Sequence, residues 1–432
     1  MSDQQRVFNY ICRGLEPVLE TLSSNLTTKV STAFPLLVSG PPGCGKSAVL
    51  IETMRFLDGL GSTRYEVTAI SAARAITLGG THLHRLFGIR PVGAFIGSRM
   101  AAAALRHLRQ SSPERIVFLG QLRVLLIDEI CNVPAEMLIC INEMLKDIND
   151  SHELFGGVAV IGFGDHHQTE PVEGVPALNS SFFQMNFRAA LIQDVVHRAQ
   201  DERLVGLIFK MRKTGKTRQD IDEIISILVG GCTHVPHGRV PEGTTWVMAT
   251  HVEVQNRRRQ LYDESLLAKT IFVAEDEAQV CVNADFKLFF QAYGSSCGVT
   301  ERMKKLLTKS TALQEELLIV IGAEVCVCMN TTTQDTFVPN GCRGTVVAFD
   351  SESVTVRIHF PVDLGTLRFL RRVSYEVELG KTKGRRCQLP LEMGSVTTVH
   401  DVQGPSCRLL HYDFVRLYFC KTWLVSGQAN LV

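Results

Sequence analysis

Gly40-Pro41-Pro42-Gly43-Cys44-Gly45-Lys46-Ser47 is a glycine-rich octapeptide closing on Lys-Ser, the spacing that lets backbone N–H groups wrap a phosphate. A short apolar run, 34–39, precedes it and helix-spaced apolar residues follow it, so strand, turn and helix N-terminus come in the order a phosphate loop needs. In that setting Lys46 reaches the β- and γ-phosphates and the Ser47 hydroxyl ligates Mg2+. Val124-Leu125-Leu126-Ile127 then reads as a buried strand ending in Asp128 and Glu129. Carboxylates at the C-terminal end of a parallel strand lie where such sheets place ligands, Asp128 toward Mg2+ and Glu129 toward an attacking water. A third strand end, 163–172, carries Gln168, a neutral amide able to sense a γ-phosphate by hydrogen bonding. From chemistry alone the expectation is hydrolysis of a nucleoside triphosphate.

The elements that must position these groups follow a strand, turn, helix rhythm. Apolar runs at 65–70, 124–127 and 158–163 are separated by helical patterns, one of them Met137, Leu138, Ile141, Met144, Leu145 and Ile148 behind Pro134. Alternation of this kind predicts a parallel α/β sheet. From about Leu191 the pattern restarts: a helix through Arg212, a strand at 245–249, a helix at 252–262 and a strand at 324–328 predict a second α/β lobe. Between 344 and 391 the periodicity becomes alternating, which predicts a small β-rich insertion. Basic charge collects there, eight Lys or Arg against three acids over 357–386, and the plain expectation for such a run is a solvated face. The triplet Arg257-Arg258-Arg259 sits on a predicted helix, points to different faces and is likewise read as solvated surface.

Composition narrows the classes. The 432 residues are 45% hydrophobic and 21% charged, enough for two to four packed domains. With 45 basic against 44 acidic residues, any nucleic-acid site must be local rather than a polycationic coat. Thirteen cysteines, an odd count without a Cys-x-x-Cys pair, and a polar start predict a reducing, intracellular, non-secreted protein. The longest apolar run, 317–329, is interrupted by Glu324 and too short to cross a bilayer. Cys232, His234 and His237 lack a fourth ligand and are read as a loop rather than a zinc site.

Taken in order, Thr68-Ala69-Ile70-Ser71, Gly79-Gly80-Thr81-His82-Leu83-His84, Phe155-Gly156-Gly157, Gly164-Asp165-His166-His167-Gln168, Asn340-Gly341-Cys342-Arg343-Gly344 and 399–406 make the chain resemble the superfamily 1B DNA helicases of the RecD/PIF type, in a compact form similar to the accessory helicases of large DNA viruses. The resemblance implies an α/β protein of two RecA-like P-loop NTPase lobes, parallel sheets flanked by helices, with ATP and Mg2+ between them and a small β-barrel insertion in the second. Residues 1–190 would form the first lobe with a wedge insertion at about 88–115, 191–343 and 392–432 the second, and 344–391 the basic insertion. It further implies that Gln4 contacts adenine, that Arg198 approaches the γ-phosphate, that Gln403 and Gly404 reach the nucleotide, and that Ser71, Thr81, His84 and His400 contact DNA. Without the resemblance, His84 would be read as a core histidine. The implied activity is 5′→3′ movement on single-stranded DNA and unwinding of forked duplex by a monomeric motor, in replication, recombination or repair, in the nucleus or wherever DNA is replicated.

The chain departs from the family at several points. Cys131 and Asn132 stand where Ser and Met are usual after the paired acids, Ala72-Ala73 where Thr-Gly follows Ser71, Thr169-Glu170 where Leu-Pro precedes Pro171, and Ala199 where Gln follows Arg198. The segment 426–432 resembles the start of the motif that supplies a second γ-phosphate arginine, which predicts a truncated form with weak hydrolysis. Two other classes stay open from the residues: a P-loop switch or small-molecule kinase, and a DNA-binding relic without turnover.

Overall fold

The computed structural model describes residues 2–20, 34–61, 64–89, 97–165, 167, 171, 174–192, 202–212, 217–230, 244–248, 250–280, 296–297, 299–333, 336–360, 365–379, 382–398 and 410–412. Two compact units divide the chain: Met1–Glu242 with Val399–Arg408 and Asp413–Val432, and Gly243–Thr398 with Leu409–Tyr412.

The first unit contains strands β1 (Leu36–Ser39), β2 (Tyr65–Ala69), β3 (Val124–Asp128), β4 (Ala159–Gly164) and β5 (Arg188–Leu191). They pair in parallel in the order β2-β3-β4-β1-β5. Every residue of β1, β3 and β4 is buried, as expected of strands covered on both faces. The period of two assigns the faces. Leu37, Leu125, Ile127 and Val160 point into one core, shared with α4 (Leu83–Phe87), α5 (Gly97–Ser111), α6 (Pro113–Gln121) and α7 (Ala135–Asn149). Leu36, Val38, Val124, Leu126, Ile161 and Phe163 point into the other, shared with α1 (Asp3–Glu20) and α2 (Lys46–Gly59). This sandwich leaves the C-terminal ends of β1 and β3 as the place where chemistry-bearing loops emerge. The strand expectations at 65–70, 124–127 and 158–163 hold to within a residue.

The second unit begins with β6 (Thr245–Met248) and α11 (His251–Glu264), the latter opened by a Thr250–Glu253 capping box. The first unit's remaining helices are α3 (Ala72–Thr77), α8 (Ser181–Asn186), α9 (Glu202–Arg212) and α10 (Arg218–Gly230). Strand β6 pairs in parallel with β20 (Val396–Thr398) and β21 (Leu410–Tyr412), as a second α/β lobe requires. The strand expected at 324–328 does not join that sheet. As β11 (Glu324–Val327) it runs antiparallel between β14 (Arg343–Phe349) and β19 (Leu391–Met393), in a sheet continued by β15 (Ser353–Phe360) and β16 (Leu367–Arg371). A second antiparallel sheet orders β17 (Val373–Leu379), β18 (Thr382–Gln388), β8 (Glu275–Val280) and β9 (Ser296–Cys297), and two antiparallel pairs join β7 (Lys269–Val273) to β10 (Glu316–Val320) and β12 (Thr331–Thr333) to β13 (Thr336–Val338). The β-rich segment is therefore split between two sheets that also recruit strands from outside it, and closure into a barrel is not among the described pairings.

That recruitment corrects the charge reading. Three of the acids that balance 357–386 lie outside the window, on β8. Arg386 is fully buried and holds Asp276, its cross-strand partner, through Nε to Oδ1 at 2.8 Å and Nη2 to Oδ2 at 2.7 Å. Arg385 faces Glu277 at 3.7 Å, Arg372 faces Glu275 at 3.8 Å, and Lys383 pairs with Glu376 at 2.6 Å. The Arg257–Arg259 triplet is corrected in the same way. Arg258 is buried and donates to the Val396 carbonyl (2.9 and 3.2 Å) and to Glu392 (3.1 Å), while the Arg257 guanidinium lies 3.6 Å over the Trp246 ring. Successive helix residues do face different ways, but one of these three faces is inside the lobe and a second is half-buried against Trp246. Arg259 is the exposed member, paired with Glu316 and Asp263.

Candidate nucleotide-binding site

Strand β1 delivers the glycine loop directly into α2. Gly45 stands at the helix N-cap with φ 95°, a left-handed conformation that suits glycine, and among the described residues no side chain caps the first turn. At Gly40 a Cβ would meet the Ile192 carbonyl at 2.5 Å and the Cys44 sulfur at 2.7 Å, so the loop can pass under the end of β5 only with glycine there. Lys46 Nζ arches back and donates to the carbonyls of Gly40 (2.8 Å) and Pro41 (3.0 Å). Gln4, on α1, donates from Nε2 to the Cys44 carbonyl at 2.8 Å, which sets its amide on the rim of the loop.

The paired acids meet the loop through one cation. Arg74 of α3 donates from Nε to Asp128 Oδ2 at 2.7 Å and from Nη2 to Ser47 Oγ at 2.8 Å. The other Asp128 oxygen accepts the Glu129 backbone N–H at 3.0 Å. Ser47 and Asp128 thus lie within the span of a single positive group, and the pair, hydroxyl and carboxylate oxygens, is a donor set suited to Mg2+. Hydroxyl and carboxylate oxygens within reach of one cationic group are chemically compatible with that ion.

Glu129 is held in a left-handed backbone conformation, φ 53° and ψ 41°, uncommon for a residue with a side chain and a local strain that redirects the carboxylate out of the strand. Burial, reinforced by the neighbouring Asp128 charge and offset by Arg74 and Lys46, pushes its pKa up to about 7. Asn132 Nδ2 reaches Glu129 at 3.4 Å, and Asn132 Oδ1 is buried without a partner among the described residues. A carboxyl that titrates near neutrality beside a phosphate loop is suited to accepting a proton from water.

At the end of β4, Asp165 is fully buried and both its oxygens accept from Arg212 Nη1 at 2.7 Å. Neither Arg74 nor Arg212 stood out in the sequence. The available signal was indirect: an acid at a buried strand end requires a cationic partner, and Arg212 closes a helix whose last turn is basic.

The DNA-contact candidates of this unit gather beyond β2. Ser71 is exposed and caps α3, accepting from the Arg74 N–H at 3.4 Å. Thr81 is half-buried, its N–H donating to Glu66 Oε1 at 2.8 Å and its carbonyl accepting from Thr68 Oγ1 at 2.6 Å. His84 is half-buried with Nδ1 at 3.2 Å from the Ile89 carbonyl, and it stacks on His82, ring centroids 5.2 Å apart. His82 Nε2 sits 2.8 Å from the Ile70 carbonyl, which brings the 79–84 turn against the segment that bears Ser71. Burial, then the neighbouring His84, lowers the His82 pKa to about 4, and burial lowers that of His84. His82, not singled out from the sequence, is the better anchored of the two. Gln168, Arg198, His400, Gln403 and Gly404, and the Cys232–His237 segment, lie outside the described residues. Among the described residues no helix is long and apolar enough to cross a membrane.

A family model described as PIF1-like helicase matches residues 16–232, half of the chain. The ATP-dependent DNA helicase Pif1 of Bdellovibrio bacteriovorus is 26% identical over 419 residues, covering 94% of this chain and 85% of that protein. The ATP-dependent DNA helicase PIF6 of Trypanosoma brucei brucei is 26% identical over 424 residues, with 93% of this chain covered but 50% of the relative, so the chain spans about half the length of that longer protein. Among solved structures, the crystal structure of Pif1 helicase from Candida albicans superposes with a TM-score of 0.71 at 18% identity, covering 100% of this chain and 93% of that one. Bacteroides Pif1 bound to ssDNA gives 0.70 at 19% identity, covering 100% and 89%. The fold is theirs, and on the family match the chain belongs to the PIF1-like helicases.

Proposed function

We propose that this chain is an ATP-dependent DNA helicase that moves 5′→3′ on single-stranded DNA and unwinds the duplex ahead of it. The observation that carries the reading is the convergence of Lys46, Ser47, Asp128 and Glu129 at the ends of β1 and β3, with Ser47 and Asp128 bridged by one guanidinium, in a member of this family. Lys46 exchanges two backbone carbonyls for β- and γ-phosphate oxygens, and the open first turn of α2 supplies N–H donors to the same phosphates. Mg2+ held by Ser47 and Asp128 would neutralise charge on those oxygens. Glu129, when ionised, takes a proton from the water that attacks the γ-phosphorus, and ADP and phosphate leave.

The remaining roles follow the family pattern. Gln168 and Arg198 attend the γ-phosphate, Gln4 the adenine, and Gln403 and Gly404 the nucleotide. Ser71, Thr81, His84 and His400 contact the DNA strand, with strong salt dependence and little sequence preference. The β-rich 344–391 is an insertion in the second lobe. The enzyme works as a monomeric motor at forked DNA in replication, recombination or repair, inside the cell in the nucleus or wherever DNA is replicated.

The test is ATP hydrolysis with and without oligothymidylate, together with unwinding of forked duplexes offering either a 5′ or a 3′ loading tail. Many-fold stimulation and a requirement for the 5′ tail are expected, and Lys46→Ala should lower turnover by about 10²–10³. Hydrolysis indifferent to DNA, with phosphate delivered to a small molecule instead, would overturn the proposal.

A further inference from the structure

Arg74 bridges the two residues read as the metal-binding pair. It lies on the short helix α3, three residues beyond Ser71, and its guanidinium bridges Asp128 Oδ2 (2.7 Å) and Ser47 Oγ (2.8 Å). The Asp128 carboxylate is nearly inaccessible, side chain 6% exposed, and its second oxygen is taken by the Glu129 N–H, so Arg74 uses the acceptor a cation would need. The Arg74 side chain is 30% exposed, which leaves it a route out. The other charged groups at this spot are Lys46, tied to the loop carbonyls, and the Glu129 carboxyl.

We propose that Arg74 is a resident competitor for the divalent cation. It holds Ser47 and Asp128 through its own hydrogen bonds and must withdraw before Mg2+ enters with the nucleotide. A guanidinium and a divalent ion cannot share two oxygens: Mg2+ demands close octahedral contact with the Ser47 hydroxyl, and the two positive groups would repel at a few ångströms. The exchange weakens the metal's contribution to nucleotide affinity by the fraction of time that Arg74 occupies the subsite. This rests on the reading of Ser47 and Asp128 as the metal-binding pair.

The experiment compares the affinity of the full chain for a fluorescent ADP analogue in saturating Mg2+ and in EDTA, for wild type, Arg74→Ala, Arg74→Lys and Ser47→Ala. The ratio of the two dissociation constants reports the metal's contribution without any turnover. If Arg74 fills the subsite about nine-tenths of the time, the ratio rises about tenfold in Arg74→Ala, through tighter binding in Mg2+. Arg74→Lys, which keeps the charge but cannot bridge both oxygens in the same way, falls between, and it serves alone if the alanine variant does not fold. Ser47→Ala collapses the ratio toward one. A ratio unchanged or reduced in both Arg74 variants, with Ser47→Ala collapsed, overturns the role of Arg74 and leaves the metal pair standing, since an ion pair that only stabilises the fold would change melting and not the ratio. A ratio unmoved by Ser47→Ala overturns the metal-pair reading and this proposal with it.

Discussion

Replacing Glu129 by Gln keeps the size and backbone of the residue but removes its titration, and the structure sets the size of the effect. The carboxyl is held up to about 7, against an ordinary value of 4.5, by burial first and by the Asp128 charge second. Between those two values the unfolded chain has released the proton while the folded chain keeps it, so folded-state stability falls as pH rises, by about 1.4 kcal/mol per pH unit. The stabilisation is complete below pH 4.5 and is lost by the time pH passes 7, a total of ~3 kcal/mol. Glu129→Gln lacks this loss, so its stability relative to wild type should climb by ~3 kcal/mol from pH 4.5 to above 7 and then level off. Urea unfolding followed by far-UV circular dichroism in a pH series, wild type against variant, gives the difference directly while the other titrating groups cancel. Catalysis should run the other way, because only the ionised form accepts a proton: wild-type single-turnover hydrolysis should rise about tenfold per pH unit below 7 and flatten above it. A stability difference that stays constant across this range would show that Glu129 is already ionised in the folded protein at low pH, and the argument from burial would fail.

Gly45→Ala places a Cβ against the Gln4 amide at a residue with φ 95°, and should cost about 1–3 kcal/mol in thermal unfolding while weakening fluorescent ADP binding. Arg386→Met removes the partner of Asp276 from a fully buried position and should destabilise by about 3–5 kcal/mol in urea. Adding Asp276→Asn should recover much of that loss; a single-variant cost under about 1 kcal/mol would mean that water reaches the carboxylate.

What the sequence discloses depends on how far apart the cooperating residues lie along it. The phosphate loop, the strand that ends in Asp128 and the helix behind Pro134 are local patterns, each readable because one stretch of chain carries both the apolar period and the turn that breaks it. The arginines are another matter. Arg386 meets Asp276 across 110 residues and Arg258 meets the Val396 carbonyl across 138, so a window wide enough to count charge is too narrow to contain the partner. A basic run that looks solvated by composition is then partly interior, neutralised by a neighbouring strand whose register no local pattern specifies. Strand 324–328 misled for a related reason: a short apolar run fits a parallel or an antiparallel sheet equally well, and its neighbours β14 and β19 decide between them. Arg74 combines both difficulties, being 54 residues from Asp128 and on a six-residue helix without a pattern of its own. Yet its chemistry follows once the acid is known to be buried. A carboxylate sealed at a strand end must be met by a positive charge, and when the fold supplies that charge itself, any metal that comes later has to displace it.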